Sequence, residues 1–422
     1  MENLSQWVER TYGDRRVAVM VSDLRGFTST TRVYGIVHFA SIIARMRQLA
    51  LPIMHRYRAD YIFAEADNFI AVFLAVEDAL KAAFEIRQIL RRYAESLPPD
   101  RQHFKVRLNG VGVHCGHDVI VDKDGKLHGA VPNEAYHIGE DVCANGNVLV
   151  TEDVFKQVEG DPDFANLVFR RGGEGSSAYL HVEGALATEA ELVPTDDGRF
   201  LSGPLLFFAK RHAPAVDVSS IDNEIAKRFE RQFTVLMFKI DLEMPAKKYG
   251  AHHSIALKAE TLLLLRPIFA KFNAAELEDV LYIFKESADA IKAVLAAQDS
   301  VESFNEALSA DEKHHAINIT GYGVHAGTML FVEGSDIHWG DPVNTASKLG
   351  QDLATNGDLL ITPAVYEQVH TRHELDDLVY EHRMLKRSGV DLPCYCVSRG
   401  PNGGGGTQSL QKAPFRGSAQ RT

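Results

Sequence analysis

The sequence predicts an α+β protein made of two homologous domains in tandem. Two observations carry this. The first is an internal repeat: Val106–Gly116 (VRLNGVGVHCG) recurs as Ile317–Gly327 (INITGYGVHAG), so Gly110, Gly112, His114 and Gly116 meet Gly321, Gly323, His325 and Gly327 at a constant offset of 211. The same offset joins Glu65 to Glu276, Asn133 to Asn344, Ala135 to Ala346 and Gly139 to Gly350. A register held over about a hundred residues is not coincidence, and its period far exceeds that of stacked solenoid units. The second observation is that, within each copy, short β-branched runs alternate with segments of helical period.

In the first copy, Arg16–Ser22 is a short apolar run that reads as a buried strand. Thr30–Arg56 places Phe39, Ile42, Ile43, Met46 and Leu49 at helical spacing and reads as one helix on a core. Phe69–Phe73 follows as a strand, Val76–Tyr93 as a helix, and Val106–His114 as a strand leading into a hairpin. The second copy repeats the order from Phe233. Asp23 and Asp241 are 218 apart, so the second copy is seven residues shorter before the constant register begins. Domains are expected at 12–185 and 231–398, with a linker over 186–230. Within that linker Thr188–Gly203 is acidic and rich in Pro, Gly and Thr, Leu205–Phe208 reads as an extra strand, and Ile221–Arg231 reads as a helix. The segment 399–422, with Gly403–Gly406, is expected to be a disordered tail.

The chain has 422 residues, 45% of them hydrophobic, which is enough to fill sizeable cores. A net charge of -12 argues against nucleic acid and anionic membranes as partners. Short basic groups such as Arg91-Arg92 and Lys386-Arg387 read as solvated surface. Cys115, Cys143, Cys394 and Cys396 form no CxxC pair, so neither a disulfide framework nor a zinc site is expected, and a reducing compartment fits. The opening residues show no signal-peptide core, and the apolar run at Leu262–Phe269 is too short to span a bilayer. The expectation is a soluble, cytoplasmic protein without membrane insertion.

Asp23 ends an apolar strand and is followed by Leu24-Arg25-Gly26-Phe27-Thr28; Asp67 sits at the turn of an expected hairpin before Phe69. A carboxylate at a strand end and another at a neighbouring hairpin tip can converge on a pair of divalent metals that hold a triphosphate. Gly26 lets backbone N–H groups approach phosphate oxygens. The plainer alternative is that both aspartates cap a turn or a helix.

Asp23-Leu-Arg-Gly-Phe-Thr28, the hairpin Asp67, Gly112-Val-His-Cys-Gly116 and Gly340-Asp-Pro-Val-Asn-Thr-Ala-Ser-Lys-Leu349 resemble, in order, the signatures of class III adenylyl and guanylyl cyclases. The resemblance implies two ferredoxin-like domains paired head to tail as an intramolecular pseudo-dimer with two composite clefts. In the first cleft, Asp23 and Asp67 match the ligands of two Mg²⁺ or Mn²⁺ ions. Gly26, Phe27 and Thr28 match the phosphate-wrapping turn, and Asn344 matches the asparagine that positions the ribose. Lys348 stands where the family has a transition-state arginine, keeping the charge without the bidentate fork. Lys386 or Arg387 falls in the region of a triphosphate-binding lysine. The purine-reading lysine and aspartate are replaced by Ala274 and Ile337, with Asp336 beside the latter as a substitute.

The second cleft is poorer. Asp241 and Glu278 match the metal positions, but Leu242-Glu-Met-Pro-Ala246 lacks the glycine turn. The first domain would contribute Asn133, His137 in place of the arginine, Lys126 in place of the aspartate and Phe63 in place of the purine lysine. This cleft is expected to be inactive. His114 and His325 read as packed, hydrogen-bonded histidines rather than ligands. The resemblance implies cyclisation of a nucleoside triphosphate, ATP ahead of GTP, to a 3′,5′-cyclic nucleotide and pyrophosphate. The alternative is a degenerate homologue that serves as a nucleotide-binding or protein-interaction scaffold.

Overall fold

The computed structural model describes residues 7–172, 179–184, 201, 203–213, 216–387 and 390–400. The expected tail beyond residue 400 and the acidic stretch 185–200 lie outside them. In the first domain the elements run β1 (Val8–Thr11), β2 (Val17–Leu24), α1 (Phe27–Tyr34), α2 (Ile36–Arg56), β3 (Tyr61–Glu65), β4 (Asn68–Phe73), α3 (Val76–Ser96) and β5 (Leu108–Gly116). They continue through β6 (Ile120–Asp122), β7 (Leu127–His128), α4 (Ala130–Tyr136), β8 (Asn147–Thr151), α5 (Glu152–Val158), β9 (Val168–Gly172) and β10 (Tyr179–Glu183). Two connecting helices follow, α6 (Gly203–Ala209) and α7 (Val218–Phe229).

The second domain repeats the plan: β11 (Glu230–Ile240), α8 (Glu243–Tyr249), α9 (Ala251–Lys271), β12 (Ala275–Glu278), β13 (Leu281–Phe284), α10 (Ser287–Ala307) and β14 (Ile319–Phe331). It ends with β15 (His338–Trp339), α11 (Asp341–Ser347), β16 (Asp358–Ile361), α12 (Pro363–Val369), β17 (Leu378–Arg387) and β18 (Val390–Arg399).

The repeat read from the sequence is a repeat of topology. The main sheets run β3-β4-β2-β5-β8-β10-β9 and β12-β13-β11-β14-β16-β18-β17. The first four strands of each, with the helices between them, make the βαββαβ order of a ferredoxin-like core. The parallel pair β5–β8 aligns Gly110 with Asn147, and β14–β16 aligns Gly321 with Asp358, so even the ladder register obeys the offset of 211. The paired histidines do too: His114 Nδ1 and Thr151 Oγ1 lie 2.7 Å apart, as do His325 Nδ1 and Thr362 Oγ1.

Central β2 is buried almost throughout because its run of Val and Met packs on both faces of the sheet. The single helix expected over Thr30–Arg56 is two helices, broken at Gly35, whose φ of 81° L side chains rarely adopt. Helix α2 has the length and apolarity to cross a membrane, yet 78% of its apolar window lies inside the protein, as befits a core helix. The extra strand expected over Leu205–Phe208 is instead helix α6. Leu205 and Phe208 of α6 and Ile225 of α7 belong to the apolar cluster built around α2, and the buried Arg211 between them is ion-paired to Asp222. Much of the stretch read as a linker is therefore packed structure.

The repeated glycines mark where helix meets sheet. A Cβ on Gly350 would lie 2.2 Å from the Met237 carbonyl oxygen and 2.6 Å from the Gly323 nitrogen, so only hydrogen fits. Gly350→Ala is expected to lower stability by about 3 kcal/mol or more in urea unfolding. Gly203→Ala, where nothing lies within 4 Å, should differ little from the parent protein.

Candidate functional site

Strand β2 delivers Asp23 to the end of the sheet, where it pairs in register with Gly110 of β5. Asp67 sits in the turn between β3 and β4, after Ala66 with its positive φ of 46°. Both carboxyls are pushed up. Asp23 rises to about 6 because burial disfavours its charge, against hydrogen bonds from the Asn109 side chain and the Leu24 backbone. Asp67 rises to about 7, first through burial and then through the negative charge of Asp23; its own backbone N–H and the Arg47 charge pull the other way. The sheet thus holds two carboxylates within electrostatic reach of each other in a low-dielectric place. Such a hard-oxygen donor set fits divalent cations of the Mg²⁺ or Mn²⁺ kind.

A cavity of about 770 Å³ runs between the domains. Asp67 and Phe63 line it from the first domain, and Asp336, Trp339, Asn344 and Ser347 line it from the second. Asp23, Gly26, Lys348 and Lys386 are not among its lining residues. Gly26 has φ 89° at the start of α1, and Lys386 is exposed on β17. Lys348 follows Ser347 at the end of α11, where its charge helps hold Asp341 below the usual carboxylate range, after the hydrogen bond from His325. The side chains of Phe27, Thr28 and Arg387 lie outside the described part of the structure.

Arg47 is a residue that sequence reasoning passed over. It sits on α2, its side chain only 5% exposed, and forms a 2.7 Å ion pair with Asp336. Its Nη2 donates to the Ala66 carbonyl oxygen at 3.1 Å, and its guanidinium stacks 5.4 Å from the centre of the Trp339 ring. Asp336, expected as a substitute base reader, is thereby already bound to a cation. The same guanidinium ties the Asp67 hairpin to the second domain.

The sheet register corrects the expected match in the second cleft: Lys239 faces Gly321 as Asp23 faces Gly110, so Asp241 holds the place of Arg25 rather than of Asp23, and it accepts a hydrogen bond from Asn318 at 3.2 Å. Glu278 accepts from Lys126 Nζ of the first domain at 3.1 Å and lies 2.6 Å from His338 Nε2. Cationic or hydrogen-bonding side chains therefore stand around the carboxylate that would have to hold a metal. Asn133 is exposed, and His137 Nδ1 lies 3.2 Å from its helical neighbour Asp141.

A further acidic group lies between the domains. Asp122, Asp124 and Asp279 bring carboxylate oxygens within 4.8 Å of one another, close enough to hold a metal ion. Lys258, 7% exposed on α9, already fills that role with its ammonium: it lies 2.5 Å from Asp122, contacts Asp279 and is 4.0 Å from Asp124. Burial raises the Asp122 carboxyl, but the His128 hydrogen bond and the Lys258 charge outweigh it and hold the group well below the usual range. Arg47 of α2 and Lys258 of α9 each carry an ion pair across the domain interface, but from different positions, because the two helices correspond at an offset of 215, Gly35 with Gly250 and Pro52 with Pro267.

The architecture is a tandem α+β protein with a carboxylate pair beside an interdomain cavity. No protein-family profile and no curated protein sequence matches the chain. Among solved structures, a class III adenylyl cyclase-like ATP-binding protein from Pseudomonas aeruginosa is similar over 84% of this chain and 84% of its own, with a TM-score of 0.52 and 12% identity. The guanylate cyclase domain of RhGC from Catenaria anguillulae, in complex with GTP, matches over 42% of this chain and 99% of its own, at TM-score 0.33 and 14% identity. An adenylate/guanylate cyclase/hydrolase from Silicibacter pomeroyi matches over 41% and 98%, at TM-score 0.32 and 16% identity. The chain has the fold of class III adenylyl and guanylyl cyclases.

Proposed function

We propose that the two domains pair head to tail and that the first cleft binds a metal-complexed nucleoside triphosphate, ATP ahead of GTP, and closes it to the 3′,5′-cyclic nucleotide. The observation that supports this best is the coupled, partly buried pair Asp23 and Asp67 beside a cavity that Asn344 lines from the other domain. In the reaction the ribose 3′-oxygen bonds to the α-phosphorus, the bond to the bridging oxygen of the β-phosphate breaks, and pyrophosphate leaves while the hydroxyl proton passes to water. Divalent ions bound there would acidify the 3′-hydroxyl and offset charge on the leaving group.

The chain's own residues do the rest. Asp23 and Asp67 hold the cations. Asn344 orients the ribose by hydrogen bonding, the turn at Gly26 presents backbone N–H groups to phosphate, and Lys348 offsets charge on the phosphoryl oxygens as a point charge.

A second reading, nucleotide binding without turnover, is favoured by one observation: Arg47 occupies Asp336, which leaves no free carboxylate at the position expected to read the base. The experiment is incubation with ATP or GTP and Mn²⁺, with mass spectrometry for the cyclic product and thermal unfolding run alongside. Product supports the enzyme. No product, together with a nucleotide-dependent rise in the unfolding midpoint, supports binding alone, because a ligand specific for the native state must stabilise it.

A further inference from the structure

Arg91 and Arg92 read in the sequence as solvated surface, and the net charge of -12 suggests no basic face. Folding gathers them differently. A concavity of about 780 Å³ on the first domain is lined by five arginines, Arg25, Arg87, Arg91, Arg92 and Arg107, against two carboxylates, Glu95 and Glu183. It shares no lining residue with the interdomain cavity. Both glutamates are engaged, Glu95 with Arg91 at 2.9 Å and Glu183 with Arg170, outside the groove, at 3.1 Å.

Several of the arginines are held in place. Arg25 Nη1 donates to Asn145 Oδ1 at 2.9 Å, Arg87 Nη2 donates to the Gly184 carbonyl oxygen at 2.7 Å, and the Arg87 guanidinium stacks 4.5 Å from the centre of the Phe84 ring. Crowding has a cost: burial and then the neighbouring Arg91 charge push the Arg87 guanidinium below its usual range.

The repeat supplies an internal control. The matching positions of the second domain are Asp241, Gln298, Glu302, Ser303 and Asn318. The same fold therefore forms without any of the five arginines, so they are not there to hold the helix on the sheet. We infer that this groove is a binding site for a compact phosphorylated anion, an oligophosphate or the phosphate end of a nucleotide. Guanidinium forks match phosphate oxygens in pairs, and forks fixed beforehand lose little freedom on binding. The size of the concavity, about 780 Å³, and the chain's net charge of -12 favour a small anion over a long polyanion, which would meet repulsion beyond the groove.

The test is isothermal titration calorimetry of the whole protein with inorganic tripolyphosphate, in EDTA so that no metal bridges the ligand to Asp23 and Asp67. Binding is expected to weaken with added salt, to fall at least tenfold in the double variant Arg91→Gln/Arg107→Gln, and to persist in Asp67→Asn. Arg91 and Arg107 are exposed, so the double variant should keep the parent's circular dichroism and unfolding midpoint. Titration with ATP separates the two sources of the phosphate: tighter binding than tripolyphosphate assigns a nucleotide, equal binding an inorganic chain. The inference is overturned if the parent protein does not bind, if the double variant binds as well as the parent, if binding is lost in Asp67→Asn, or if a single-stranded oligonucleotide binds this groove more tightly than tripolyphosphate.

Discussion

Asp23→Asn is expected to cut cyclic-nucleotide formation by on the order of a thousandfold, because a lost metal ligand removes several kcal/mol of transition-state stabilisation. The metal-free variant should be no less stable than the parent. Asp23 is itself disfavoured by burial, and burial first and then the Asp23 charge raise Asp67 to about 7. Each carboxyl has a folded-state pKa above its unfolded value. Each therefore costs stability as the pH rises through that range, and costs nothing below the unfolded value. Asn removes the cost, so unfolding in EDTA should show the variant equal or gaining by about 1 kcal/mol near pH 8, with no gain near pH 4. Lost turnover with retained or raised stability identifies a site. Full turnover in the variant removes the assignment, and a large fall in stability makes Asp23 a structural residue.

Lys258→Met should be among the most damaging single changes outside the sheets. Methionine replaces the stem of the lysine but not its ammonium, leaving Asp122 and Asp279, whose side chains are 3% and 2% exposed, without their shared cation. Breaking one member of a buried ionic network costs about 3–5 kcal/mol. Arg266, 3.4 Å from Asp279, and His128, 2.7 Å from Asp122, offset part of it, so about 3 kcal/mol is expected. The deficit should depend on pH with a definite sign. In the parent, the depressed Asp122 carboxyl contributes stability that is present above about pH 4 and lost below it. In the variant the Asp122 carboxyl loses the Lys258 charge that helps hold it down and rises, so the gap between the two proteins should narrow as the pH is lowered from about 7 towards 4. Unfolding free energies within about 0.5 kcal/mol of each other at pH 7 would show that the lysine contributes little.

Most of the fold was legible because it is written twice. The glycine–histidine motif, helices α3 and α10 and the strands that follow keep one offset of 211, the strand order matches throughout, and a repeated pattern suppresses accidental similarities. The failures came where a single residue outweighs a periodic signal, as at Gly35, or where apolarity alone does not decide between helix and strand, as at Leu205–Phe208. At the site, Asp23 and Asp67 could be found because each sits at a strand end or turn that sequence patterns mark. Arg47 and the arginine groove could not be found that way. Their partners lie far along the chain, Asp336 for Arg47 and the residues of β5, α3 and the 145–147 turn for the groove, and only tertiary structure sets those distances.

The apolar cluster around α2 draws residues from well beyond the first repeat: Leu205, Phe208 and Ile225 from the connecting helices, and Leu330, Ile337 and Trp339 from the second domain. During synthesis the first domain therefore leaves the ribosome unfinished, with a face of its longest apolar helix uncovered until well over a hundred further residues have emerged. The natural cutting point suggested by the repeat, near residue 185, would free a fragment with that face still bare and prone to stick to itself. Two copies that look separable in sequence thus mature as one cooperative unit, and a lesion in the later copy can spoil the earlier one.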